Sequence, residues 1–196
     1  MPNNILSDIP VSRVETAIYG CGNLLFGDDG VGPEVINRLK ECELPDDVLV
    51  EDVGTSIRDI LFDYLLAPQI APRRIIIIDA VDYPDRKPGE VFEITPRQVP
   101  AAKIHDFSLH QFPTVNMLAE LSEATDIEIR VFAVQIQHIP DEVSPGLSVP
   151  VSQAVTQVCD MILEILNHAS TTNHPISIDQ QGVKDDDHQC TTTEER

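Results

Sequence analysis

At 196 residues, with 42% hydrophobic and 23% charged side chains, the chain suits one domain with a sizeable core and leaves little room for a second. Its formal net charge of −20 and the lack of any basic run argue against attraction to nucleic acid or to an anionic membrane. The acidity runs through the body of the chain as well as its end, and by itself it also suits solubility or a salty cytoplasm.

Cys21, Cys42, Cys159 and Cys190 form no C-x-x-C pair, so neither a zinc cluster nor a dithiol redox site is indicated, and buried, reduced thiols are expected. Met1-Pro2-Asn3-Asn4 opens without the basic and apolar regions of a signal peptide. No apolar run reaches the about 20 residues of a membrane-spanning helix. The expectation is a cytoplasmic protein that works as a monomer, with no nucleic-acid or membrane partner.

In chain order, residues 1–12 are polar and proline-punctuated and read as a flexible arm. Val14 to Tyr19 is a short β-prone run ending at Gly20. It leads into Gly20-Cys21-Gly22-Asn23-Leu24-Leu25-Phe26-Gly27-Asp28-Asp29-Gly30-Val31-Gly32, a glycine-rich turn that carries two adjacent carboxylates into a helix. Val31, Val35, Ile36 and Leu39 recur at helical spacing, and Pro33 is tolerated in a first turn. Val48 to Val53 predicts a second strand, closed by Gly54-Thr55-Ser56. Ile57, Ile60, Leu61, Tyr64 and Leu65 then predict a second helix, with Ser56 in the N-cap position.

The run Ile75-Ile76-Ile77-Ile78-Asp79 is continuously apolar and β-branched, as expected of a central parallel strand covered on both faces. Val91 to Ile94 follows too closely for a helical crossover, so it is expected to pair antiparallel or to lie at an edge. Residues 96–108 read as loop. Phe112, Val115, Leu118 and Leu121 predict a third helix, Ile127 to Gln135 another strand, and Val151 to Leu166 a last amphipathic helix. Strands alternating with helices predict a three-layer α/β sandwich around a mostly parallel sheet, spanning residues 13–168. Residues 169–196 are nearly devoid of apolar side chains and read as a disordered acidic tail.

In open α/β sheets the functional crevice lies beyond the carboxyl ends of the strands. Asp29 follows the first strand, Asp52 ends the second and Asp79 ends the third, so three carboxylates are expected on one rim. His110, at the start of the third helix, can face the same crevice. Each acid has a plainer explanation: Asp28 and Asp29 can serve the helix dipole, and Asp79 can merely terminate a strand. Three in parallel with a histidine favour a cation site. Carboxylates with one imidazole suit Ni²⁺, Zn²⁺, Co²⁺ or Mn²⁺. Rival motifs are missing: Leu25 stands where a dinucleotide fingerprint needs its third glycine, and there is no G-K-[ST], G-x-S-x-G or H-E-x-x-H. His105, His138, His168, His174 and His188 fall in loops or the tail and are expected to be solvated.

Four motifs in order, Gly20-x-Gly-Asn-x-Leu-x-x-Asp-Asp-Gly-x-Gly32, Asp52-x-Gly-Thr55, Ile78-Asp79-Ala80 and Ser108-x-His-Gln111, resemble the hydrogenase maturation endopeptidases. The likeness covers roughly residues 14–167 and looks closest to the type serving the coenzyme F420-reducing hydrogenase of methanogens. It implies a twisted five-stranded sheet flanked by helices. It also implies cleavage of a C-terminal extension from a nickel–iron hydrogenase large-subunit precursor once nickel is in place. By family classification the peptidase is aspartic-type with metal-dependent recognition, although no D-[ST]-G motif is present.

Matched by motif, the metal-recognition residues are Asp29, Asp79 and His110. Asp52 is a further catalytic candidate, as a base toward water or as a group that orients the incoming chain. Many members carry glutamate where Asp29 stands, so a metal here would sit one methylene closer to the backbone. The nickel is expected to be borne by the substrate, although other divalent ions suit the same donors. The alternative is a nickel-binding hydrogenase assembly scaffold without proteolytic activity.

Overall fold

The structure is a computed structural model that describes residues 14–94 and 113–172. Residues 1–12 of the expected N-terminal arm, the loop 96–108, His110 and the acidic tail after Thr172 lie outside the described residues. Five strands form one sheet: β1 (Thr16–Cys21), β2 (Val48–Gly54), β3 (Arg74–Val81), β4 (Val91–Ile94) and β5 (Glu128–Gln135). Among the described residues four α-helices are interleaved with them: α1 (Val31–Leu39), α2 (Ile57–Leu66), α3 (Pro113–Ala124) and α4 (Val149–Thr172).

The strand order is β2-β1-β3-β5-β4. All neighbours run parallel except β4, which pairs antiparallel with β5 at the edge, as the short β3 to β4 connection requires. Side chains on β3 alternate between the two layers. Ile76 and Ile78 join Val35, Ile36, Val158 and Ile162 beneath α1 and α4, whereas Ile75 and Ile77 join Leu61, Leu118 and Leu121 beneath α2 and α3. Both faces of that strand are therefore covered, which accounts for its unbroken run of isoleucine. The three-layer sandwich and the mostly parallel five-stranded sheet follow the expectation.

Three local features differ from it. β1 continues through Gly20 to Cys21, and β3 runs past Asp79 to Val81, because partner strands extend the pairing beyond the apolar runs. Ser56 makes no side-chain cap; only its carbonyl engages α2, accepting from the amides of Asp59 at 3.0 Å and Ile60 at 3.5 Å. α4 extends to Thr172, beyond the expected start of the tail. By length and composition Val149–His168 could cross a membrane, with mean hydropathy 1.2. Its apolar stripe of Val151, Val155, Val158, Ile162 and Leu166 is buried in the core under the sheet.

Candidate functional site

β1 and β3 lie side by side at the centre of the sheet, and β2 flanks β1 on its other side. After β1 the chain crosses outward to β2 and then returns over β1 to β3. The strand order thus reverses at β1 and β3, which places a crevice at their carboxyl ends.

The glycines of the first motif bring strand and helix together backbone to backbone. A Cβ on Gly20 would stand 2.5 Å from both the Gly32 carbonyl oxygen and Ile36 Cγ1. One on Gly32 would collide with the Cys21 backbone. Gly22 holds a φ of +118°, with the Asp29 carbonyl where its Cβ would be. That carbonyl accepts from the Asn23 amide at 3.2 Å, and the Gly22 amide donates to Gly54 at 3.0 Å. Residues Gly27–Gly30 are folded into a single 3-10 turn over the strand end, with Asp28 and Asp29 buried. Side chains on the glycines would push this turn off the strand.

The two adjacent aspartates face different partners. Asp28, which by sequence could serve the dipole of α1, makes no side-chain cap at that helix or at the preceding turn. Its carboxylate instead accepts from the amides of Gln137 at 2.8 Å, His138 at 3.2 Å and Ser148 at 2.6 Å, and from Ser148 Oγ at 2.9 Å. Four donors offset the cost of taking a carboxylate out of water, and they win over the dipole of a short helix.

Asp79 is half-buried, on the same face of β3 as Ile75 and Ile77, toward α2 and α3. Its Oδ1 accepts from the Ala80 amide at 2.9 Å. Asp52 is exposed beside Gly20 on the neighbouring strand, and its Oδ1 accepts from the Gly54 amide at 3.0 Å. Cys21 is the last residue of β1. Burial pushes its thiol well above the ordinary range, and the negative charges of Asp79, Asp52 and Asp29 push it further. Gly20 pairs with Asp52 on one side and with Ile78, the residue before Asp79, on the other, so Asp52 and Asp79 flank the end of β1 and Asp29 lies in the turn that follows it. His110 lies outside the described residues, and α3, the helix it precedes, packs on the face that carries Asp79.

Among the described residues no three His, Cys, Asp or Glu side chains stand close enough to hold a metal ion by themselves. Cys21 and Cys159 are buried free thiols, as expected, whereas the free thiol Cys42 is only partly buried; Cys190 lies outside the described residues. His138 and His168 are exposed, also as expected. Sequence reasoning passed over Gln135. It is 3% exposed at the end of β5, accepts from the Tyr83 amide at 2.8 Å and donates to Asp82 Oδ1 at 3.1 Å. A lone amide closing an apolar strand was the available signal.

Residues 33–165 match the hydrogenase maturation protease family. A Methanocaldococcus jannaschii protein assigned as a hydrogenase maturation protease is 37% identical over 155 residues, covering 78% of this chain and 97% of that relative. The coenzyme F420 hydrogenase subunit delta of Methanothermobacter thermautotrophicus is 33% identical over 159 residues, 76% of this chain and 93% of the relative. In fold, the chain is similar to the hydrogenase maturating endopeptidase HybD from Escherichia coli. The TM-score is 0.62 at 24% identity, over 79% of this chain and 93% of that one.

Proposed function

The chain belongs to the hydrogenase maturation protease family, whose members are hydrogenase-processing peptidases, and from that premise we propose that it removes the C-terminal extension of a nickel–iron hydrogenase large-subunit precursor after nickel insertion. The observation that supports this reading is the position of Asp52 and Asp79 on the strands either side of the end of β1, with Asp29 in the turn that follows, at the switch point of the sheet. Nickel is part of the substrate, held by the precursor. Asp29, Asp79 and His110 complete its surroundings, and carboxylates with one imidazole suit a borderline divalent ion.

Docking on a loaded centre places the scissile peptide at the rim, so that cleavage waits for metal. The rate gain comes mainly from orientation, worth up to ~10 kcal/mol in favourable cases. Asp52, exposed and accepting from the Gly54 amide, takes a proton from water or aligns the incoming strand. In this reading the peptidase is aspartic-type in its use of carboxylates, and its metal dependence lies in recognition. The relative named as a coenzyme F420 hydrogenase subunit supports an F420-reducing hydrogenase as the partner.

That name also favours one second reading, a nickel-binding assembly scaffold that stays with the hydrogenase and cuts nothing. Incubation with purified large-subunit precursor, followed by intact-mass measurement, separates the two. Loss of a C-terminal peptide supports the peptidase. A precursor of unchanged mass that nevertheless co-elutes with this chain supports the scaffold.

A further inference from the structure

Three loops leave the carboxyl edge of the sheet near the acids: the glycine-rich turn after β1, the connection from β3 to β4, and the segment between β5 and α4. Two buried polar side chains tie all three together. Asp28 receives the amides of Gln137, His138 and Ser148 and the Ser148 hydroxyl, which fixes the third loop against the first. Backbone bonds run alongside, from the Gly27 amide to Ser144 at 3.0 Å and from the Ser144 amide to Leu25 at 2.9 Å. Gln135 accepts from the Tyr83 amide and donates to Asp82, which fixes the second loop against the third. The Ile136 amide, donating to Val81 at 3.0 Å, closes the path between them.

We propose that Asp28 and Gln135 are positioning residues that set the separation of Asp29 and Asp79. Asp29 sits next to Asp28 within one 3-10 turn, and Asp79 lies two residues before the strand end that the Gln135 contacts secure. A move of either loop therefore moves one wall of the site relative to the other.

The chemistry of each brace fits only its own side chain. Everything facing Asp28 is a donor, so a carboxylate, which only accepts, satisfies all of it, whereas an asparagine amide would point donor at donor. Gln135 must accept from Tyr83 and donate to Asp82 and to the Ile136 carbonyl at 3.3 Å, so a glutamate of the same shape would fail at both donations. Hydrogen bonds in a desolvated setting fix direction as well as distance, which apolar packing does not.

The proposal rests on the peptidase reading, and its test has one arm independent of it. In Asp28→Asn, amide hydrogen exchange should quicken at Gln137, His138 and Ser148 while Ile18 and Ile76 in the core keep their protection. In Gln135→Glu the same should hold for Tyr83. The carboxyl resonances of Asp29 and Asp79 should shift in both variants. With nickel-loaded precursor, at a temperature where both variants are folded, kcat should fall about 10- to 100-fold with KM within about twofold.

Unchanged Asp29 and Asp79 resonances would overturn the proposal. So would a loss of turnover that only follows the unfolded fraction, or one confined to KM. If the wild-type chain leaves precursor uncut, the peptidase reading fails instead, and the exchange and resonance arm alone judges the brace.

Discussion

Asp28 and Asp29 are adjacent identical residues whose surroundings give them different work. The first is enclosed by four donors, and the second lies within the field that reaches Cys21 alongside Asp52 and Asp79. Asp79→Asn keeps the shape and the oxygen that accepts from Ala80 while removing the charge. Stability should stay within about 0.5 kcal/mol of the parent, as for a change that leaves packing intact. Precursor processing should drop by about 100-fold, as expected when a substrate is misplaced. Thermal melts and single-turnover cleavage check the two halves separately.

Cys21 allows a pH test. Its thiol is raised in the fold, so the neutral form stabilises the native state below the unfolded thiol value of about 8.5, and that contribution is lost as pH rises beyond it. Between pH 8 and 10 the parent should lose more stability than Cys21→Ala does, as read by denaturant midpoints at each pH. Parallel slopes would contradict a thiol raised in the fold.

At the scale of elements, the edge strand β4 is held partly by a two-pronged ion pair. Arg130 Nε and Nη2 reach the two Glu93 carboxylate oxygens at 2.8 and 2.7 Å across the β4 and β5 pair. The Arg130 guanidinium holds the Glu93 carboxyl below its ordinary range against the opposing effect of burial. A lowered pKa stabilises the fold above the unfolded carboxyl value, and the benefit fades as pH falls through the folded one. Glu93→Gln should cost about 0.5–1 kcal/mol near neutrality, allowing for partial exposure, with the difference from the parent vanishing in acid. On the central strand β1, Gly20→Ala should cost about 1–3 kcal/mol, because its methyl group would overlap Gly32 and Ile36.

The elements themselves were largely legible from periodicity. Continuous isoleucine in β3 implied helices on both faces, and the short gap before Val91 implied an antiparallel edge. What periodicity could not reach were contacts chosen by distant partners. Asp28 resembles an N-terminal charge for α1 until Gln137, His138 and Ser148 are folded beside it. Ser56 occupies a cap position, yet its hydroxyl does not cap. Gln135 reads as the polar end of a strand, and only the fold shows it bridging Asp82 and Tyr83. That Asp29, Asp52 and Asp79 all lie toward one edge of the sheet was accessible because strand ends in a parallel sheet share that edge whatever their spacing in sequence.

For the whole molecule, the net charge is −20, and Asp29, Asp52 and Asp79 lie toward the carboxyl edge of the sheet. A precursor segment that carries cationic side chains, or a bound divalent ion, would be drawn toward that edge. Its association rate should fall as ionic strength rises and the Debye length contracts from about 10 Å at 0.1 M to about 3 Å at 1 M. Stopped-flow association across that salt range tests the steering, and a flat profile would show that the acidic surface plays no part in capture.

The central claim is that peptide cleavage is tied to metal already seated in the substrate. The most direct measurement is to present the protein with nickel-loaded and nickel-free large-subunit precursor in parallel and to weigh the products by mass spectrometry. The account predicts a shortened large subunit from the loaded precursor alone. Equal cleavage of both, or cleavage of only the nickel-free form, would contradict it.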